Sequence, residues 1–271
     1  MASSISSLSI ALSQMRTPSG GFDFSILTGK GASSGGGLFN VGSVKVALDN
    51  AEKNEARQRE QIAKDPMVKK DLARYAKVVK EAKTLDDVLD DPVARRVFLK
   101  ANGLGDQVDA VALAKKALSS DLGDGSSLAY RLSSVNGNWL ATAKQYDFHT
   151  FGIGLLKTNL ATEEVANNYI GEKRLDMLDE QLPGLGSAIL FKSIAADLDT
   201  PIKILGSALG REVITTALGL PKQMAIQSLE AQSKAILQRL DPKKLKNPEF
   251  VDQLVQRYLI QLNGGTGGVT A

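Results

Sequence analysis

The chain has 271 residues, with 33 lysines and arginines, 30 aspartates and glutamates, one histidine and no cysteine. This length is enough for one large or two modest domains, and a net charge of +3 is too small for a protein that neutralises many nucleic-acid phosphates. The lack of cysteine excludes thiol catalysis, disulfides, zinc fingers and iron–sulfur clusters. One histidine argues against a Ser-His-Asp triad or a multi-histidine metal site. We predict no catalytic residue, cofactor, metal site or nucleic-acid partner.

Residues 1–43 are predicted to form a flexible, disordered N-terminal arm. Serine and glycine fill 19 of these 43 positions, too many for the segment to bury an apolar core of its own. Ile5, Leu8, Leu12 and Met15 fall on one helical face, which only a partner would stabilise. Serines interrupt every apolar stretch here, so we expect no secretory signal, and no run approaches the roughly 20 apolar residues that span a bilayer.

Residues 44–262 are predicted to fold as an all-α multi-helix bundle, followed by a flexible tail, 263–271. Five prolines follow an aspartate, threonine or asparagine, the pattern of a capped helix that begins with proline. We expect two halves, 65–150 and 160–262. The five pairs are Asp65-Pro66, Asp91-Pro92, Thr200-Pro201, Asp241-Pro242 and Asn247-Pro248.

Three further segments carry local predictions. Residues 47–64 are predicted to form a helix that is polar all round, which either stands in solvent or awaits a partner. Thr84 with Asp87 resembles a capping box. The strand candidates are residues 39–46 and 148–156, both weakened by glycine, so we expect at most one short β-ribbon.

An offset of 116 residues aligns two parts of the chain, 88–132 and 204–254. Arg95 then matches Arg211, and Gly103 matches Gly219. Internal duplication would explain this match and would give two pseudo-repeated helical units. The alternative is a chance alignment of two amphipathic helices that each end at glycine, and the sequence does not decide between them.

Few residues suggest chemistry. The segment Gly152-Ile153-Gly154 begins like a dinucleotide-binding loop but lacks the third glycine and a preceding strand, so we interpret it as a tight turn. His149 follows Asp147 and Phe148, where a packing or capping role is expected rather than acid–base catalysis.

A group of carboxylates, Asp86, Asp87, Asp90 and Asp91, has two interpretations. It offers oxygen ligands to a hard cation, but it lacks the spacing of a calcium loop. Helix capping explains the same residues, and we favour it. Further along the chain, Trp139, Tyr146 and Phe148 are expected to form part of a hydrophobic core rather than a ligand box.

Four segments carry a family resemblance. They are residues 91–105 (DPVARRVFLKANGLG), 118–122 (LSSDL), 127–132 (SLAYRL) and 139–148. Together they resemble a bacterial helical family of unknown function whose genes commonly lie among flagellar genes. The resemblance covers roughly residues 60–262. Where that family usually has an acidic residue and an arginine, this chain has residues 133–136 (SSVN), which puts the local turn contacts in doubt.

The resemblance implies a flagellum-associated protein and brings no catalytic residues with it. We therefore expect a non-enzymatic structural or assembly protein of the bacterial flagellum that binds a protein partner, a flagellar component, and passes through the type III export channel. The expected contact elements are residues 1–43, 47–64 and 248–262. A cytoplasmic helical adaptor or export chaperone is the alternative. An enzyme that uses carboxylates such as Asp86, Asp90 and Asp147 is the third hypothesis, and the oligomeric state is left open.

Overall fold

The computed structural model describes residues 41–264, and within that range the chain forms α-helices, 3-10 segments and turns but no strand. The all-α prediction is confirmed. The short 3-10 segments are Gly105–Gln107, Ala195–Asp197, Lys222–Ile226 and Pro242–Lys246. The helices are α1 (Val41–Lys53), α2 (Glu55–Lys64), α3 (Pro66–Glu81), α4 (Leu85–Asp90), α5 (Pro92–Ala101), α6 (Val111–Leu118), α7 (Leu128–Ser133), α8 (Asn138–Tyr146), α9 (Phe148–Phe151), α10 (Asn159–Gln181), α11 (Leu185–Ile194), α12 (Pro201–Gly206), α13 (Ala208–Ala217), α14 (Leu229–Leu237) and α15 (Pro248–Leu262).

Both strand candidates are wrong where the structure describes them. Residues 41–46 belong to α1, because Val44, Leu48 and Ala51 have helical spacing and are buried together. Residues 148–156 form the short helix α9 and a series of turns. Of the predicted arm, residues 41–43 are the start of α1, and residues 1–40 lie outside the described range. Residues 265–271 of the predicted tail also lie outside it.

Helix starts follow the local sequence closely. At each of the five proline-led helices, the side chain before the proline accepts a hydrogen bond from a backbone N–H one or two residues after that proline. Asp65 Oδ1, for example, accepts from Met67 N at 2.7 Å. Thr84 and Asp87 form the predicted capping box. These bonds satisfy backbone donors that a helix leaves unpaired at its start.

Two hydrophobic cores share one long helix. The first core contains buried residues of α3–α6, α8 and the first half of α10, including Tyr75, Phe98 and Tyr169. The second core contains α1, the end of α10 and α11–α15, including Phe191 and Tyr258. The chain therefore leaves the second core through α2, builds the first core, and returns along α10. The division into halves 65–150 and 160–262 stays a prediction.

The helix pair α4–α5 recurs as α12–α13 at the same offset of 116 residues, with identical helix lengths. Gly103 and Gly219 end the two pairs with φ of 67° and 61°. After each glycine, a leucine N–H bonds to the carbonyl five residues earlier at 2.8 Å, Leu104 to Leu99 and Leu220 to Thr215. This shared geometry favours duplication over chance.

Two of the expected contact elements, residues 47–64 and residues 248–262, differ in how far they are buried. Residues 47–64 are not one helix, because the chain breaks at Asn54 between α1 and α2. In α2 no residue is buried, and the helix packs along α10. The apolar stripe of α15 is inside the second core, where six of its residues are buried. The stripe of α15 is thus used for folding and is not free for a partner.

Candidate functional site

A cleft lies where α2, α10 and α11 meet, between the two cores. Its volume is about 320 Å³, near the lower end of small-ligand sites. One wall is apolar and includes Leu175, Ile189 and Leu190. The other wall is charged. We name the site the junction cleft, and its charged residues are Glu55, Arg59, Glu172 and Arg174.

Arg174 is a buried charge at the floor of the junction cleft, with only 3% of its surface exposed. Its Nη2 donates to the Ala51 carbonyl at 2.6 Å, and its Nε donates to Gln58 Oε1 at 2.9 Å. Nη1 lies 3.7 Å from Glu55 Oε1. The guanidinium therefore caps the last turn of α1, where a cation is favourable, and ties α1 and α2 to α10.

Glu172 is half-buried beside the cleft and forms no hydrogen bond or ion pair with another described residue. Burial, with smaller contributions from the carboxylates of Asp176 and Asp106 and against the opposing charge of Lys100, raises the pKa of Glu172 to about 7. Lys100 Nζ is bound to Asp176 Oδ2 at 2.7 Å instead. The Glu172 carboxyl thus changes its protonation near neutral pH.

The rim of the cleft depends on a small residue. Arg59 Nη2 donates to the Asn167 carbonyl at 2.8 Å, which lays the guanidinium across Gly171. A Cβ at position 171 would lie 3.0 Å from Arg59 Nη1, tighter than nearly all real contacts. Glycine therefore leaves room for the Arg59 guanidinium, which closes that side of the cleft.

A second feature is a cluster of exposed apolar side chains around α14. Ile226 is 90% exposed, and Leu229 and Leu237 are more than half exposed. These three side chains fall within 12 residues of the chain, and exposed apolar side chains that lie close together commonly mark an interaction site. We name these three residues the α14 face.

Three residues that were considered for chemistry lie in and beside the short helix α9. His149 is exposed on α9. Asp147, at φ 36°, caps α9 by accepting from Thr150 N. Gly152, at φ 54°, is in a turn as expected.

The carboxylate cluster is occupied by structural contacts. Asp86 and Asp90 both pair with Lys115, at 3.4 and 2.7 Å. Asp87 and Asp91 cap α4 and α5, which confirms the capping interpretation. Between residues 41 and 264, no group of three potential metal ligands comes together.

The aromatic residues form a core, as predicted. Trp139 is 3% exposed, and Tyr146 and Phe148 stack with ring centroids 5.5 Å apart. Phe98 packs tilted against Tyr146 at 5.4 Å. Through these ring contacts α8 and α9 pack against α5.

The junction cleft was missed by sequence reasoning. Its charged residues lie in the polar segment 55–59 and in the middle of α10, and each segment alone suggests an ordinary solvated helix. The signal that was available is the lack of one continuous apolar stripe along α10. That helix buries Tyr169, then Arg174, then Leu178 as it passes from one core to the other.

Part of the chain matches a known protein family. A family model described as "Protein of unknown function (DUF1217)" matches residues 101–251, more than half of the chain. The chain belongs to the DUF1217 family. The match runs from the end of α5 into α15 and so includes parts of both cores. It agrees with the expected membership of a family of unknown function.

A solved structure is similar in fold. The X-ray crystal structure of Protein AGR_C_984 from Agrobacterium tumefaciens has a TM-score of 0.66 and 23% sequence identity. The similarity covers 85% of this DUF1217 chain and 96% of the other chain. At that identity it establishes the fold alone. No curated protein matches the chain. In the described part of the chain, no helix is both long and apolar enough to span a bilayer.

Proposed function

We propose that this DUF1217 chain is a non-enzymatic structural or assembly protein of the bacterial flagellum, which acts by binding other proteins and is exported through the flagellar channel. The resemblance to a family encoded among flagellar genes supports the flagellar assignment. Among the described residues, the observation that most favours protein binding is the exposure of Ile226, Leu229 and Leu237. Clustered apolar side chains on a protein surface commonly mark an interaction site.

Two of the three expected contact elements stay in this proposal, the segment before α1 and the polar helix α2, because the apolar stripe of α15 is buried in the second core. We add the α14 face to them as a third contact element. The segment before α1 contains the amphipathic pattern of Ile5, Leu8, Leu12 and Met15. Ordering such a segment on a partner costs conformational entropy and gives a reversible contact.

Deletion of residues 1–40 tests the proposal, because it removes that segment and leaves α1 intact. The shortened chain should keep the thermal midpoint and helical content of the full chain. Cells that carry it in place of the full chain should swim less far in soft agar, with fewer or shorter filaments. A matched control replaces residues 29–37 with another glycine and serine sequence of equal length. Full motility of the deletion strain would contradict the proposal.

A further inference from the structure

Helices α6 and α14 are equivalent elements of the two repeated units. Each follows a matching helix pair and a 3-10 segment, and each packs back against the first helix of its pair, α6 against α4 and α14 against α12. Leu118, at the end of α6, is 1% exposed, and Ile236, near the end of α14, is 0% exposed. Each helix therefore has a buried apolar side chain close to its C-terminal end.

Their outer sides differ. Helix α6 is covered by α7 and α8, and three of its eight residues, Ala114, Ala117 and Leu118, are buried. Helix α14 has no comparable covering helix among the described elements, and Ile236 alone of its nine residues is buried. After α14, the segment Pro242–Lys246 packs against Ala195–Asp197 and α15 instead of folding back over α14. The second unit therefore lacks the cover that the first unit has.

The uncovered side combines apolar and basic groups. Leu229 and Leu237 are 54% and 55% exposed and lie about 80° apart around the helix, at about 100° per residue. Lys234, Arg239 and Lys243 are exposed, and their side chains pair with no other described residue. Between residues 223 and 243 the acidic residues are Glu230 and Asp241, and Asp241 is used as a cap. Beside the α14 face, three exposed basic side chains therefore outnumber the one exposed carboxylate that is not used as a cap, Glu230.

We propose that the α14 face binds an acidic amphipathic helix of a partner protein. The first unit shows what fits this position: α7 and α8 place Leu128, Leu132 and Trp139 against its core. A helix from another protein would bury the exposed leucines in the same way. Acidic side chains on its flanks would meet Lys234 and Arg239, which favours an acidic partner over a basic one. This inference rests on the proposed protein-binding function but not on its flagellar assignment.

The experiment uses the full chain and two fluorescein-labelled synthetic peptides, followed by fluorescence anisotropy. Both peptides are amphipathic helices with one leucine face, and the other face carries glutamates in one peptide and lysines in the other. The acidic peptide should bind, and Leu229→Ser with Leu237→Ser should weaken its binding by about tenfold. Lys234→Glu with Arg239→Glu should weaken it by about threefold and remove its salt dependence.

A substitution at another exposed apolar residue of this chain is the control for the two leucine changes. Met67 is 64% exposed on α3, far from α14 in sequence, so Met67→Ser is the matched control and should leave binding unchanged. Circular dichroism should show the same helical content in every variant, since the changed side chains are exposed. Equal binding of both peptides, no binding, or equal loss in Met67→Ser would overturn the proposal. A concentration-dependent dimer that Leu237→Ser dissolves would also overturn it, because the face would then be a self-contact.

Discussion

Arg95 and Arg211 make the same hydrogen bond in two places 116 residues apart. Each donates from Nη1 to the carbonyl of the leucine six residues before it: Arg95 to Leu89 at 2.8 Å and Arg211 to Leu205 at 3.0 Å. Each bond pairs a carbonyl at the end of one helix, α4 or α12, with a side chain of the next helix. The two units therefore repeat a tertiary contact as well as helix lengths.

We expect the two arginines to differ in their contribution to stability. Arg95 also donates from Nε to the Val108 carbonyl at 2.8 Å, so Arg95→Ala leaves two carbonyls unpaired. We expect a loss of about 2 kcal/mol for Arg95→Ala and about 1 kcal/mol for Arg211→Ala in urea unfolding. Arg131→Ala, at an exposed position, should have no effect. A larger loss for Arg211→Ala would show that this account of the pair is wrong.

Arg174→Met should destabilise the protein strongly. The methionine fills similar space but leaves the Ala51 carbonyl and Gln58 Oε1 without their donor, at a position that is only 3% exposed. We expect a loss of about 3 kcal/mol in the free energy of unfolding. Arg57→Met, on the exposed side of the same junction, is the control and should change little. Similar urea midpoints for Arg174→Met and the wild-type chain would refute the structural role of Arg174.

Two glycines should respond in opposite directions to alanine. Gly184 has φ 84°, and a Cβ there would lie 2.4 Å from Leu262 Cδ2 and 2.9 Å from Tyr258 Oη. Gly184→Ala should cost more than about 2 kcal/mol, since backbone strain and the collision add. At Gly206, in α12, an added Cβ would meet no neighbouring atom within 4 Å, so Gly206→Ala should gain about 0.5 kcal/mol. Thermal unfolding of both variants checks the sign of each change.

Glu172 should make stability depend on pH in a defined window. Its pKa is about 7 in the folded protein, against an ordinary value of 4.5, so the folded state binds more protons than the unfolded state between these values. Stability should therefore fall as the pH rises from about 4.5 to about 7. Glu172→Gln removes this loss. Between pH 5 and pH 8, the free energy of unfolding of the variant should therefore fall by about 1 kcal/mol less than that of the wild-type chain, a figure that allows for the partial exposure of the carboxyl.

The matched control for that measurement is Glu163→Gln, an exposed position on the same helix. Its stability should follow the wild-type curve at every pH. If Glu172→Gln also follows the wild-type curve between pH 5 and pH 8, the carboxyl is not held in the protonated form by its surroundings.

Local features were predictable from the sequence, because the groups that decide them are neighbours along the chain. The cap at Asp65 involves residues two and three positions away, and the helical stripe of Val44, Leu48 and Ala51 spans two turns. The strand prediction for residues 39–46 failed because alternation over a few valines competes with that longer helical period.

The junction cleft was not predictable, because its contacts join distant parts of the chain. Arg174 lies 123 residues from Ala51 and 116 residues from Gln58. No spacing rule connects positions so far apart. The exposure of the α14 face was not predictable for the same reason, since the sequence 226–237 does not reveal whether another helix covers it.

The flagellar assignment is tested most directly by fractionation of tagged protein from cells with and without a working flagellar export gate. Our account predicts the chain in the medium or on purified filaments of the first strain and its loss from both in the second. Retention of the chain in the cytoplasm of both strains would contradict export and would favour a cytoplasmic adaptor or export chaperone.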